Sequence, residues 1–123
     1  MFDISARSHF SSGHHLRNYP GNCEKPHGHN WKVEVTVRAT ELDELGMGID
    51  FKVVKRALNA IMDDLDHRDL NEHPAFQTTN PSSENIALYI FGQLKGSLTT
   101  ERYRPYSVTV CETDNCCVTY REG

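Results

Sequence analysis

Cys23-Glu24-Lys25-Pro26-His27-Gly28-His29-Asn30-Trp31-Lys32-Val33-Glu34-Val35-Thr36-Val37 is the stretch from which the fold can be read. His27, His29, Trp31, Val33, Val35, Val37 and Ala39 take alternate positions, with mostly polar residues between them. A period of two marks a strand with one buried face. Same-face residues on a strand lie about 6.6 Å apart, at about 3.3 Å of rise per residue. Two imidazoles at that spacing can therefore reach one metal ion. Gly28 removes bulk from the opposite face. A His-x-His at a strand end can equally be two polar residues where a strand frays, so the pair needs company to mean more.

The company lies upstream. Phe2, Ile4, Ala6, Ser8, Phe10, Ser12 and His14 share one parity of a second alternating run. That run predicts a long first strand ending near Gly13-His14-His15, with His14 projecting from the same face as Phe10. Asn18-Tyr19-Pro20-Gly21-Asn22 is dense in turn formers, so the chain reverses there and the second strand returns antiparallel over about 27–40. The hairpin brings His14 toward His27 and His29, with Cys23 on the connecting loop. A catalytic zinc takes three protein ligands and keeps a fourth position open, whereas a structural zinc is closed by four. His14, His27 and His29 would leave that position open.

Downstream, the glycine-containing polar segment 41–48 reads as a loop, and Asp50 is a good N-cap. Phe51, Val54, Leu58, Ile61 and Leu65 follow the three-four spacing of an amphipathic helix over about 51–65. Asn80-Pro81-Ser82-Ser83-Glu84-Asn85 opens a second helix, capped by Ser82 or Ser83, with Ala87, Ile90, Phe91 and Leu94 buried and Gly96 as a stop. Tyr106, Val108, Val110 and Glu112 share one face of a third strand. A turn at Asp114-Asn115 leads to a last strand over about 117–121. The expectation is an α+β fold of order ββααββ, a four-stranded antiparallel sheet with two helices packed on one face, forming a single domain over 1–123. Its two open edges invite pairing with further copies, so a ring-like homo-oligomer with a continuous sheet is expected.

The 123 residues suffice for one modest core. A 37% hydrophobic and 24% charged composition is that of a soluble globular protein. No apolar run approaches the roughly 18 residues of a membrane span. The opening Met1-Phe2-Asp3-Ile4-Ser5-Ala6-Arg7 does not read as a secretory signal. A net charge of -4 argues against nonspecific nucleic-acid binding. The four cysteines, two of them adjacent at Cys116-Cys117, are then expected to be reduced thiols in the cytoplasm, with Cys111, Cys116 and Cys117 in packing roles. Seven histidines exceed what solvation requires.

Six motifs occur in order: Phe10-Ser-Ser-Gly-His14, Cys23-x-x-x-His27-Gly28-His29-Asn30, Asp50-Phe51, Leu65-Asp66-His67-x-x-Leu70-Asn71, Pro81-Ser82-Ser83-Glu84-Asn85 and Val108-x-Val110-x-Glu112-Thr113. Together the chain resembles the 6-pyruvoyl tetrahydropterin synthase family over nearly its whole length, and within it the queuosine-pathway branch. The resemblance implies a T-fold (tunnelling fold), in which trimers close their sheets into a barrel and pair as a homohexamer with active sites at subunit interfaces. It implies a zinc-dependent lyase acting on 7,8-dihydroneopterin triphosphate. That branch releases acetaldehyde and triphosphate and leaves 6-carboxy-5,6,7,8-tetrahydropterin. The other main branch keeps the whole side chain as a pyruvoyl group.

Residue by residue, the resemblance implies that His14, His27 and His29 ligate Zn2+. Cys23 matches the proton-abstracting base, Asp66 and His67 a relay pair, and Glu112 the acid that grips the pterin and in some accounts joins the relay. Ser82 and Ser83 match pterin contacts. Taken alone, Asp66 and His67 could simply end a helix, and the two serines could be caps only. Members usually carry two small residues, often Ala-Ala, before the first ligand; here Ser12-Gly13 stands there, which is expected to loosen the strand end. A non-catalytic, zinc-stabilised pterin-binding module on the same fold is the reading from a different class.

Overall fold

A computed structural model describes every residue except 21–24 and 123. Its elements run β1 (Phe2–His14), β2 (His27–Ala39), α1 (Phe51–Leu65), two 3-10 turns (Leu70–Glu72 and Pro74–Phe76), α2 (Ser83–Ser97), β3 (Tyr103–Thr113) and β4 (Cys116–Arg121). The strands form one antiparallel sheet in the order β1-β2-β3-β4. Order and class are those the alternation and helix spacing predict: α+β, ββααββ, with both helices on one face of the sheet. Among the described residues no helix is long and apolar enough to cross a membrane.

The buried stripe of the sheet is Ala6 and Phe10 from β1, Trp31, Val33, Val35 and Val37 from β2, and Val108 and Val110 from β3. Onto it α1 lays Val54, Leu58, Ile61, Met62 and Leu65, and α2 lays Ile86, Ala87, Ile90, Phe91 and Leu94. Asp50 caps α1 by accepting from the Lys52 N–H, and Ser82 caps α2 by accepting from the Asn85 N–H. Phe51 departs from the expected stripe. It is the first residue of α1, ahead of the first buried position Val54, and 61% of its surface is exposed. Gly96 does not stop α2, which continues to Ser97 because the Leu98 N–H returns to the Leu94 carbonyl and Leu98 is itself buried.

Two bulges in β3 correct its expected pattern. Pairing with β2 passes from Thr36–Ser107 to Val37–Pro105, leaving Tyr106 unpaired. The extra residue reverses the parity below it, so Tyr106 leaves the core stripe and stacks under the Arg38 guanidinium, 3.5 Å from its ring centre. Pairing with β4 passes from Cys111–Cys117 to Thr113–Cys116, leaving Glu112 as the bulged residue. The cysteines also differ from expectation. Cys111 and Cys117 stand directly opposite each other, Cα atoms 4.0 Å apart, and are joined as a disulfide, while Cys116 is an exposed free thiol.

The connection between the helices is held by a polar knot that sequence reasoning left without a role. His73 is buried; its Nδ1 accepts from the Ala75 N–H, so its Nε2 carries the proton and donates to Asp64 Oδ2 at 2.9 Å. The Tyr89 hydroxyl donates to the same oxygen at 2.7 Å. Burial opposes ionisation of Asp64, but the bonds from Tyr89 and His73 outweigh it and hold its carboxyl below the usual range. Burial, and then the Asp64 charge, push the Tyr89 hydroxyl up to about 12.

Gly48 lies where the loop before α1 crosses the sheet. A Cβ there would stand 2.8 Å from Ala39 Cβ and 2.8 Å from Ile4 Cδ1. Gly48→Ala is therefore expected to lower stability by about 1–3 kcal/mol through overpacking. Urea unfolding would read this as a lower midpoint at unchanged slope. An unchanged midpoint would mean that the loop moves aside without cost.

Candidate metal centre

The register of the first hairpin builds the site. Phe2 pairs with Ala39 and the ladder runs without a slip to His14 opposite His27, with Ser12 opposite His29. Residues directly opposite in an antiparallel pair share a face. His14, His27 and His29 therefore stand together at the end of the buried stripe, with His14 and His29 packed against Trp31. Ring centres are 4.6 Å apart for His14–His27, 4.7 Å for His27–His29 and 5.3 Å for His14–His29. Glu112 reaches the group from β3, and one donor atom from each of the four side chains lies within 4.8 Å of the others.

The hydrogen bonds define what two of these rings can do. His14 Nδ1 is 2.8 Å from the Pro81 carbonyl, and His27 Nδ1 is 2.9 Å from the Lys25 carbonyl. A carbonyl only accepts, so both Nδ1 atoms carry protons, and in the neutral rings Nε2 is the nitrogen left with a lone pair. Such a bond to a backbone carbonyl is the usual support behind a ligating histidine. His14 is only 3% exposed, and its Nε2 lies 3.0 Å from Glu112 Oε1 without a hydrogen bond. A nitrogen lone pair facing a carboxylate oxygen at that distance is repulsive unless a positive charge stands between them. His29 Nε2 is 3.2 Å from the same oxygen. The four groups thus fit a divalent cation, and His with carboxylate is a donor set that zinc accepts.

Asp66 and His67 follow α1. Asp66 Oδ2 is 2.7 Å from His67 Nδ1, and Asp66 Oδ1 accepts the Ser11 N–H at 2.7 Å. The Ser11 N–H, then His67, hold the Asp66 carboxyl below its usual range. His67 has φ 52, a left-handed conformation uncommon outside glycine, and its ring is 84% exposed. The backbone explains why it is held there: the His67 N–H donates to the Ser11 carbonyl at 2.6 Å and the Gly13 N–H to the Arg68 carbonyl at 2.9 Å. Ser12 corrects the expectation of a loosened strand end. Its hydroxyl donates to the Leu65 carbonyl and accepts the Arg68 N–H at 3.0 Å, stitching β1 to the end of α1.

Of the residues singled out from sequence, the structure thus gathers His14, His27, His29 and Glu112 at one point. It pairs Asp66 with His67 beside Ser11 of β1, three residues before His14. Ser82 is engaged as the cap of α2, one residue after the Pro81 carbonyl that holds His14, and Ser83 is the first residue of that helix. Cys23 lies outside the described residues. The Pro81 carbonyl is the contributor that sequence reasoning missed, because a backbone acceptor leaves no side-chain signature.

Comparison with known proteins gives the same frame. Residues 3–123 match the family described as 6-pyruvoyl tetrahydropterin synthase. The chain belongs to that family. It is 32% identical to the 6-pyruvoyl tetrahydrobiopterin synthase of Dictyostelium discoideum, over 96% of this chain and 94% of that one. It is 31% identical to the 6-carboxy-5,6,7,8-tetrahydropterin synthase of Bacillus subtilis, over 98% and 85%. The structure of the Caenorhabditis elegans 6-pyruvoyl tetrahydropterin synthase superposes with a TM-score of 0.84 at 29% identity, covering 99% of this chain and 96% of that one. The T-fold expected from the motifs is therefore the fold observed, and relatives of both product types are about equally similar in sequence.

The Asp66 contacts carry a pH signature. A carboxyl held below its ordinary value of 3.8 stabilises the fold above that value, and the contribution disappears as pH falls through the lower, folded-state value. Wild type is therefore expected to melt above Asp66→Asn at about pH 5 and higher, with the gap closing as the pH is lowered beyond about 4. Melting curves across that range check this. A gap that does not change with pH would contradict it.

Proposed function

We propose that the chain is a zinc-dependent lyase that converts 7,8-dihydroneopterin triphosphate to 6-carboxy-5,6,7,8-tetrahydropterin, releasing acetaldehyde and triphosphate, in queuosine biosynthesis. The observation that carries this reading is the convergence of His14 and His27, each with its Nδ1 proton committed to a carbonyl, on one point shared with His29 and Glu112. His14, His27 and His29 would hold the ion. When bound, zinc supplies Lewis acidity at the substrate's side-chain hydroxyls, lowering their pKa and stabilising the negative charge that develops after proton loss.

The remaining roles fall to the chain's own groups. Cys23 is the base that removes a side-chain proton; its thiol, ordinarily near pKa ~8.5, ionises more readily beside a cation. Asp66 orients the exposed His67 ring, as a carboxylate orients a catalytic imidazole in other dyads, and His67 passes protons. Glu112 holds the amino-pyrimidine edge of the pterin through charge-assisted hydrogen bonds, with Ser82 and Ser83 as further pterin contacts. The exposure of His67 and the open edges of β1 and β4 support a homohexamer in which a neighbouring copy completes the site. The three-residue interval between Cys23 and His27 favours the carboxy-type product over the pyruvoyl type.

One observation favours a second reading. Glu112 Oε1 stands against His14 and His29, as a fourth ligand closing a structural zinc site would. A chelator separates the two. On the lyase reading it removes zinc and activity but leaves the oligomer folded; on the structural reading it unfolds the protein.

Incubation of the protein with dihydroneopterin triphosphate is expected to yield acetaldehyde and carboxytetrahydropterin in equal amounts. Cys23→Ala is expected to keep its zinc and to produce neither. A pyruvoyl product without acetaldehyde would overturn the choice of product, and full turnover by Cys23→Ala would remove the thiol from the mechanism.

A further inference from the structure

Beyond His14 the chain leaves the sheet, yet its backbone is still paired. The His15 N–H donates to Asn71 Oδ1 at 2.9 Å, and Asn71 Nδ2 donates back to the His15 carbonyl at 3.1 Å. Two residues on, the Arg17 N–H donates to Asn80 Oδ1 at 2.8 Å, and Asn80 Nδ2 donates to the Arg17 carbonyl at 3.0 Å. Each side-chain amide thus reproduces the reciprocal bond pair that an antiparallel strand would offer. Asn71 is buried. The Arg17 guanidinium adds bonds to the Phe76 and Thr79 carbonyls, so its charge is spent on the 76–80 segment. Asn85 Nδ2 holds the Asn80 carbonyl at 2.9 Å.

The residue after Asn80 is buried Pro81, whose carbonyl receives the His14 Nδ1 proton. The Asn80–Arg17 pair therefore closes a ring. It runs from His14 through residues 15–17, across the amide to Asn80, and back through Pro81 to the same imidazole. The closed ring ties the segment that carries the Pro81 carbonyl to the segment that carries His14. If the Pro81 carbonyl were displaced, the bond that keeps the proton on His14 Nδ1 would be lost, and transfer to Nε2 would turn the ligand nitrogen into a donor.

We propose that Asn80 is a positioning residue for the metal centre: by clasping the Arg17 backbone it fixes His14 as the Nδ1–H tautomer with Nε2 free to ligate. This rests on His14 being a zinc ligand, as proposed above. Asn80 touches neither metal nor substrate. Outer-shell partners of ligating histidines contribute about 10–100-fold to metal affinity; the partner here is the Pro81 carbonyl, and loss of the clasp one step behind it is expected to cost about 10-fold, the lower end of that range.

The test compares wild type, Asn80→Ala and Asn80→Asp as intact full-length protein. Zinc affinity is measured by competition with a chromophoric chelator, and the His14 tautomer by long-range 1H–15N spectra of the zinc-free protein. Asn80→Ala is expected to bind zinc about 10-fold more weakly and to show His14 in mixed tautomers. Asn80→Asp keeps the acceptor for the Arg17 N–H and loses the donor, so it should fall between. If the alanine variant does not fold, Asn80→Asp and Asn80→Ser carry the same comparison. Variants that melt earlier yet bind zinc like wild type, with His14 still Nδ1–H, would overturn the proposal and leave the zinc reading standing. A wild type that binds no zinc would overturn both.

Discussion

The unslipped pairing of β1 with β2 is the constraint on which the site depends. Thirteen residues of β1 meet thirteen of β2, from Phe2–Ala39 to His14–His27, and a slip of one residue would turn every side chain of one strand to the other face. The core enforces the register, because Phe10 and Trp31 stack on each other directly opposite in the ladder, ring planes 6° apart, with no exposure to solvent. Burying two such rings is worth several kcal/mol at about 25 cal/mol per Å² of apolar surface. Beyond that pair the same face carries Ser12 opposite His29 and then His14 opposite His27. The geometry of the cluster is thus inherited from the hydrophobic core rather than built by the loop that joins the strands.

Electrostatics then decides what the cluster is for. A carboxylate oxygen beside imidazole lone pairs is unfavourable where water is excluded, and a cation between them removes the conflict. Glu112 is about a third exposed, so water moderates the repulsion on its side, while the deeply buried His14 has no such relief. The bulge that leaves Glu112 unpaired between Cys111 and Thr113 is the kind of irregularity that re-aims one side chain at the end of a strand. A carboxylate so freed of ladder geometry could turn from the cation to a substrate's amino-pyrimidine edge, which is the role proposed for it.

Much of this was legible in the sequence, for a reason that can be stated residue by residue. Strands announce themselves through period two and helices through three-four spacing, so β1, β2, α1 and the start of α2 fall where Phe2, His27, Phe51 and Ser83 place them. His14, His27 and His29 are visible as a group because they continue those stripes. What did not show were features set by single contacts. The bulge at Tyr106 depends on how β3 meets β2, and Gly96 stays helical because Leu98 finds a buried place beyond it. The Cys111–Cys117 bond depends on the β3–β4 register, which a one-residue bulge changes. The Pro81 carbonyl and the two asparagine clasps are backbone matters, and the sequence around Asn80 reads only as a helix opening.

The central claim is that three imidazoles hold a divalent ion and leave one position for another molecule. X-ray absorption spectroscopy of the zinc-loaded, substrate-free protein tests it most directly. The account predicts three nitrogen ligands at about 2.0–2.1 Å and a fourth, light ligand that is unaltered in Glu112→Gln and is displaced when a pterin with its hydroxylated side chain is added. A fourth ligand that disappears in Glu112→Gln and resists the pterin, or a shell with fewer than three imidazoles, would contradict it.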